Sequence, residues 1–260
     1  MVVEVADARG SVPRDPGTRM LVARDAVEGT IGGGHLELQA IAQARERFGH
    51  AFEQRIGLGP TLGQCCGGAL VLRHAPLDDD ALARWPDDPP LFRLDLYGAG
   101  HVGRAIVRVL ATLDCRVRWI DEREAEFPPG PDAPQIERIC AEPVEAEVAA
   151  APPDSCFLVL THSHDLDLAL AHAILKRGDF PWFGLIGSRT KRARFEHRLA
   201  ERGIAPDRLA RMVCPIGLPG IAGKQPEVIA VAVVAQLLQA VQTPTDCQRQ
   251  VPLHGATTGP

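Results

Sequence analysis

Two cysteines stand side by side between glycines in Gly63-Gln64-Cys65-Cys66-Gly67-Gly68. A vicinal thiol pair with such small neighbours is hard to justify by packing. Backbone N–H groups freed by the glycines stabilise a thiolate, so the pair is a candidate nucleophile or soft-metal ligand. Gly32, Gly33 and Gly34 precede a helix in GTIGGGHLE. That turn and the one containing Gln64 are candidate anion cradles, because successive glycines let amides point inward and a helix start favours negative charge.

Further along, Gly98, Gly100 and Gly103 form G-x-G-x-x-G between the apolar run Leu94, Leu96, Tyr97 and the helically spaced Val102, Ile106, Val109, Leu110 and Leu113. In that setting the first glycine permits a tight turn, the second lets the backbone approach a pyrophosphate, and the third lets helix and strand pack closely. Asp121 closes the next strand about 20 residues on, where a carboxylate accepts a ribose hydroxyl. His162 and His164 follow the strand ending at Leu160, at an edge where doubly wound sheets bind ligands, and are expected to hydrogen-bond a polar ligand rather than ligate a metal. Ser163 and Asp165 between them serve equally as helix N-caps. Ser188, Arg189, Lys191, Arg192 and Arg194 open a helix with cations at its positive end, which predicts a phosphate or other anion there. Lys224 sits in a glycine loop before a helix, but Leu218 stands where a Walker loop needs glycine and Gln225 where it needs Ser or Thr. ATP hydrolysis is not predicted.

The elements that must position these groups fall into two parts. Alternating strands around one helix, which carries Ile41, Ala44 and Phe48, predict an α+β domain over residues 1–76. The acidic, proline-rich stretch 77–91 reads as a linker, 92–242 as a Rossmann-like doubly wound parallel sheet, and 243–260 as a disordered tail. Pro226–Val241 is apolar on nearly every face and reads as a buried helix. The fold class is thus α/β, with the smaller α+β domain N-terminal.

A chain of 260 residues buries enough surface to be stable without crosslinks. Its seven cysteines show no C-x-x-C pair and follow no secretory signal, which predicts a reduced, cytoplasmic protein. The longest apolar stretch, Val228 to Leu238, is shorter than the ~20 residues of a membrane span. A net charge of -5 without basic-aromatic interleaving offers nothing to nucleic acid.

The segments GSVPRDPGTRMLV, GTIGGGHLE, LGQCCGG, LYGAGHVGRA, IDEREAEFP, LTHSHDLDL, GLIGSRTKRARF and CPIGLPGIAGKQPEVIA, in this order, together resemble the XdhC/CoxI family of xanthine dehydrogenase accessory proteins. The resemblance runs to about residue 242. It implies a cytoplasmic, homodimeric maturation factor rather than a catalyst. Such proteins bind the molybdenum cofactor (molybdopterin), support exchange of an oxo for a sulfido ligand by a cysteine desulfurase, and deliver the cofactor to apo xanthine dehydrogenase or a related molybdoenzyme. In that role Cys65 or Cys66 would meet molybdenum or hold sulfur, while a pterin phosphate would use the glycine turns and the basic helix start. Two alternatives stay open: an NAD(P)-dependent oxidoreductase, and a carrier of molybdopterin cytosine dinucleotide for aldehyde- or CO-dehydrogenase-type enzymes with that dinucleotide in the Rossmann turn. Family members usually carry a further N-terminal helix and the start of the first strand, so a shortened N-terminus is expected here.

Overall fold

The computed structural model describes residues 1–58, 68–83, 85 and 89–241. The chain divides between Asp88 and Pro89 into two units.

In the first unit, valines at alternate positions make β1 (Val2–Arg9) one-sided, and it becomes the central strand of an antiparallel sheet. Around it lie β2 (Arg19–Val22), β3 (Val27–Gly29), β4 (Phe52–Gly57) and β5 (Ala69–Ala75), in the order β3-β2-β1-β5-β4. Helix α1 (Gly34–Glu46) covers one face with Leu36, Ala40 and Ala44, which meet Val3, Val5, Met20, Leu70 and Leu72. The buried stripe thus runs at steps of four through Leu36 and Ala40, and Ile41 and Phe48 lie only at its margin. On the opposite face, register sets four charges in a row across four strands: Glu53, Arg73, Glu4 and Arg19, spaced 3.5, 3.9 and 3.6 Å. A short helix, α2 (Asp79–Ala83), forms inside the acidic stretch expected to be a linker.

The second unit is a parallel sheet, β6 (Arg93–Tyr97), β7 (Arg116–Asp121), β8 (Ile136–Cys140), β9 (Cys156–Val159), β10 (Phe183–Leu185) and β11 (Met212–Val213), in the order β11-β10-β9-β6-β7-β8. Strand order reverses between β6 and β9, so the carboxyl ends of these two strands flank the crevice where doubly wound sheets hold ligands. Helices α3 (His101–Leu110) and α8 (Pro226–Val241) cover one face over Leu94, Leu96, Trp119 and Leu158. The short α4 (Glu147–Ala150), α5 (His164–Arg177), α6 (Arg189–Glu201) and α7 (Pro206–Ala210) cover the other, over Tyr97, Phe157 and Phe183. This is the Rossmann-like doubly wound sheet with a smaller antiparallel unit N-terminal to it. Helix α8 is less enclosed than its composition suggests. Its Ala230, Val233 and Leu237 are buried, but Val231 is 55% exposed.

Candidate functional site

The glycine turn after β6 is shaped by its neighbours. Gly98 has φ +123°, and a Cβ there would lie 2.4 Å from the Leu160 carbonyl oxygen. One on Gly103 would lie 2.1 Å from the Gly98 oxygen, so no larger residue fits where α3 meets the strand. Gly100, by contrast, faces open space and begins α3 with no side-chain cap. The backbone groups of the first two turn residues are all engaged within the chain. Gly98 donates to Ile120 O and accepts from the Trp119 indole, Ala99 donates to Asp121, and the Ala99 carbonyl accepts from Arg104.

Asp121, expected to meet a ribose, is buried and serves the protein instead. Its Oδ2 accepts from the Ala99 amide at 2.7 Å and from Arg123 Nη2 at 2.9 Å; its Oδ1 accepts from the amide and Nε of Arg123 at 2.9 and 3.0 Å. A carboxylate offers about four acceptor sites, and all four are taken. Burial works to raise the Asp121 pKa, but the Arg123 guanidinium and the two amides outweigh it and hold the acid below its usual range.

One strand further along, the ends of β9 and β10 frame a crevice of about 650 Å³. Ser163 caps α5 by accepting from the Leu166 amide, and Ser188 caps α6 by accepting from the Lys191 amide. Both helix starts therefore open onto this space, lined by His162, His164, Thr190, Arg194 and Arg198 among others. Its floor is a buried ion pair. Asp167 accepts from Lys191 Nζ at 2.5 Å and from the Thr161 amide and hydroxyl at 3.1 and 2.7 Å, while Lys191 also donates to Ile186 O at 2.9 Å. His162 stands 3.5 Å from Glu122 and also borders the narrow cleft beside Gly98 and Asp121.

The cationic start of α6 thus has a different arrangement from that expected. Lys191 is held by Asp167, and Arg192 bonds Glu196 at 2.7 Å and Cys214 O at 3.3 Å. Arg189 is exposed, and Arg194 and Arg198 face the crevice, with Arg198 3.7 Å from Asp165. The buried carboxylate of Asp167, on the neighbouring helix, supplies the counter-charge to Lys191. Cys214 lies under Ser188, and burial pushes its thiol up.

The Gly32-Gly33-Gly34 turn does cradle an anion, but an internal one. Glu37 Oε2 accepts from Thr30 Oγ1 at 2.5 Å, Ile31 N at 3.0 Å and Gly33 N at 3.1 Å. Burial raises its pKa, and these donors together bring it below the usual carboxylate range. Gln64, Cys65 and Cys66 lie outside the described residues. Lys224 is not among the residues that line the crevice, and Arg108, in the last turn of α3, lies 3.3 Å from Glu227 in the first turn of α8. A second cavity, about 670 Å³ in the N-terminal unit, is bordered mainly by Met1, Leu21, Val22, Val27 and Phe48 and carries one charged side chain, Glu28. It is suited to apolar contact rather than to chemistry.

Sequence spacing put Arg194 in the basic helix start but missed Arg198, and it did not join Thr161 and Asp167 to that helix start as parts of one site. The signal available was Asp167 in the first turn of a helix that follows a strand, the same place that Ser188 and Lys191 occupy one crossover later. Among the described residues no group of three or more His, Cys, Asp or Glu side chains could hold a metal, and no helix is long and apolar enough to cross a membrane.

An antiparallel α+β unit followed by a Rossmann-type domain, with a polar, cation-rimmed crevice at the carboxyl edge of its sheet, defines the class. The XdhC Rossmann domain model matches residues 94–237 and the XdhC and CoxI family model matches residues 1–55. The chain belongs to the XdhC/CoxI family. It is 32% identical over 253 residues to the uncharacterised Escherichia coli (strain K12) protein YqeB, covering 92% of this chain but only 43% of YqeB. The chain therefore spans less than half the length of that relative. A crystal structure of a xanthine dehydrogenase from Bacillus halodurans has the same fold, with a TM-score of 0.73 at 21% identity over 96% of this chain and 92% of that one.

Proposed function

We propose that this chain is an accessory protein that carries the molybdenum cofactor for a molybdoenzyme of the xanthine dehydrogenase class and supports its sulfuration and insertion. Family membership supports the accessory role. The observation that carries the cofactor reading is the crevice between the starts of α5 and α6, where Ser188, Thr190, Arg194 and Arg198 stand around about 650 Å³ of polar space. That donor set fits a phosphate-bearing group: two helix starts favour negative charge, and guanidinium groups bond phosphate oxygens in pairs. Arg194, Arg198 and Thr190 would hold the phosphate end of the pterin, and the Lys191–Asp167 pair fixes the floor beneath it. When bound, the cofactor supplies a molybdenum centre with an exchangeable sulfur ligand.

Cys65 or Cys66 would supply the soft thiolate for sulfur handling, as the family resemblance implies; Cys115, Cys156 and Cys214 are buried with their thiols pushed up and do not suit that role. The partners that this reading requires are a cysteine desulfurase and the apo form of the target enzyme, with the chain acting as a homodimer in the cytoplasm. A nicotinamide dinucleotide in the glycine turn is less well supported, because Asp121 has no acceptor left for a ribose.

The test is to purify the full chain from cells competent in molybdenum cofactor synthesis and identify the small molecule released. A phosphorylated pterin is expected, retained at least about tenfold less well by an Arg194→Gln/Arg198→Gln variant. Recovery of a nicotinamide dinucleotide, or of nothing, would overturn the reading. Recovery of a cytosine dinucleotide form would assign the cofactor variant.

A further inference from the structure

The opposite, amino edge of the parallel sheet holds a second cluster that the crevice does not use. Leu94 pairs with Cys156, and Arg93 pairs with Arg116. Ser155, Arg93 and Arg116 therefore stand level at the starts of three adjacent strands. Strand alternation turns all three to the face that carries Asp95 and Arg118. A cavity of about 230 Å³ opens there, lined by these five residues and Glu137 among others.

Three observations set it apart from an ordinary solvated rim. First, among the described residues neither Arg93 nor Arg116 forms an ion pair, and the side-chain bond of Arg116 is one of 3.4 Å to the neighbouring Cys115 carbonyl. Both are exposed, and two like charges directly opposite on paired strands are destabilising. Second, Ser155 is fully buried, and among the described residues its hydroxyl has no hydrogen-bond partner. Buried hydroxyls are normally satisfied, and one left over beside a cavity points to a group that enters it. Third, the carboxylates nearby do not neutralise the arginines. Asp95 is committed to Arg118 at 2.7 Å and Glu147 also pairs with Arg118, while Glu137 is exposed and forms no ion pair among the described residues.

We propose that this amino-edge cavity is an anion site, separate from the crevice at the carboxyl edge, in which Arg93 and Arg116 hold a phosphate- or carboxylate-bearing group and Ser155 is the third donor. Its volume, below the roughly 300 Å³ at which ligand pockets usually start, suits one such group on a small molecule or a chain end and not a dinucleotide.

The experiment follows the Ser155 amide resonance of the full chain during titration with inorganic phosphate and, separately, acetate at constant ionic strength. A saturable shift is expected with at least one of the two, and the comparison distinguishes a phosphate from a carboxylate ligand. The Arg93→Gln/Arg116→Gln variant should bind about tenfold or more weakly, whereas Arg194→Gln/Arg198→Gln should leave this response unchanged, so the outcome is independent of the cofactor reading. The Arg93→Gln variant should also melt higher than the native chain in anion-free buffer, which shows that it folds and that the like charges repel. No saturable response to either anion, or one that survives loss of Arg93 and Arg116, would overturn the proposal.

Discussion

The Asp121 carboxylate accepts the amide hydrogen of Ala99 at 2.7 Å and ties the end of β7 to the glycine turn that follows β6. This contact has the place of a nucleotide-binding acid and the function of a staple. With Arg123 closing over both oxygens, the charge is neutralised inside the chain.

Replacing Asp121 by Asn should lower stability by about 2 kcal/mol, since it weakens charge-assisted hydrogen bonds at a buried position. Because the folded-state pKa is depressed, this contribution is present above the unfolded value near 3.9 and is lost as pH falls through the folded one. Urea midpoints of the two proteins should therefore differ at pH 7 and converge in strong acid. Any NADH affinity should be the same in both. A tenfold loss on substitution would mean that Asp121 releases Arg123 to meet a ribose.

The Lys191–Asp167 pair is predicted to be a strongly coupled unit. Its side chains are 12% and 1% exposed, so removing one partner strands the other in the interior. Lys191→Met and Asp167→Asn should each cost about 3 kcal/mol, with the double variant recovering half or more of the summed loss. Additive losses in denaturant titrations would show that solvent already screens the pair.

His74 gives the N-terminal unit a pH dependence. The ring stacks on Phe52 at 4.1 Å, is fully buried, and among the described residues has no hydrogen-bond partner on either nitrogen. Burial, with help from Arg47, lowers its pKa to about 4. Between the unfolded value near 6.5 and about 4 the unfolded chain binds the extra proton, so stability should be level above pH 6.5 and fall as pH drops, by about 2 kcal/mol at pH 5. His74→Leu should flatten that slope. Equal slopes in native and variant protein, followed by hydrogen exchange of β5 amides, would place the acid sensitivity elsewhere.

How much of this was legible in the sequence depends on the range of the contact. The glycine turn, the strand before it and the helix after it are local, and the change of period at Gly98 reveals them. Strand β8 is not, because Ile136–Cys140 follows a proline-rich loop and mixes charge with only moderate apolarity. The site shows the same divide. Position put Asp121, His162 and Ser188 at the ligand edge, but Arg123 claiming Asp121, Asp167 claiming Lys191, and Glu37 filling the Gly32–Gly34 turn depend on side-chain geometry. Two of those partners come from the same loop or helix start, and residue type alone does not say which donor a carboxylate will take. Lys224 shows the same divide: a glycine loop before a helix is visible in sequence, but the packing of that helix on α3 is not.

The cysteine chemistry can be isolated by subtraction. Burial pushes the Cys115 thiol up to about 11 and Cys156 to about 12, and it raises Cys214 as well, so these three should stay protonated and slow toward iodoacetamide at neutral pH. Cys140 is exposed and Cys247 lies outside the described residues, so a Cys140→Ser/Cys247→Ser variant leaves Cys65 and Cys66 as the thiols whose reactivity is in question. If glycine amides stabilise a thiolate there, alkylation of that variant should rise with a midpoint below the ordinary value near 8.5. Cofactor bound to the protein should protect one of the two. A midpoint at or above 8.5, with no protection, would make the pair structural and leave cofactor retention to the crevice between α5 and α6.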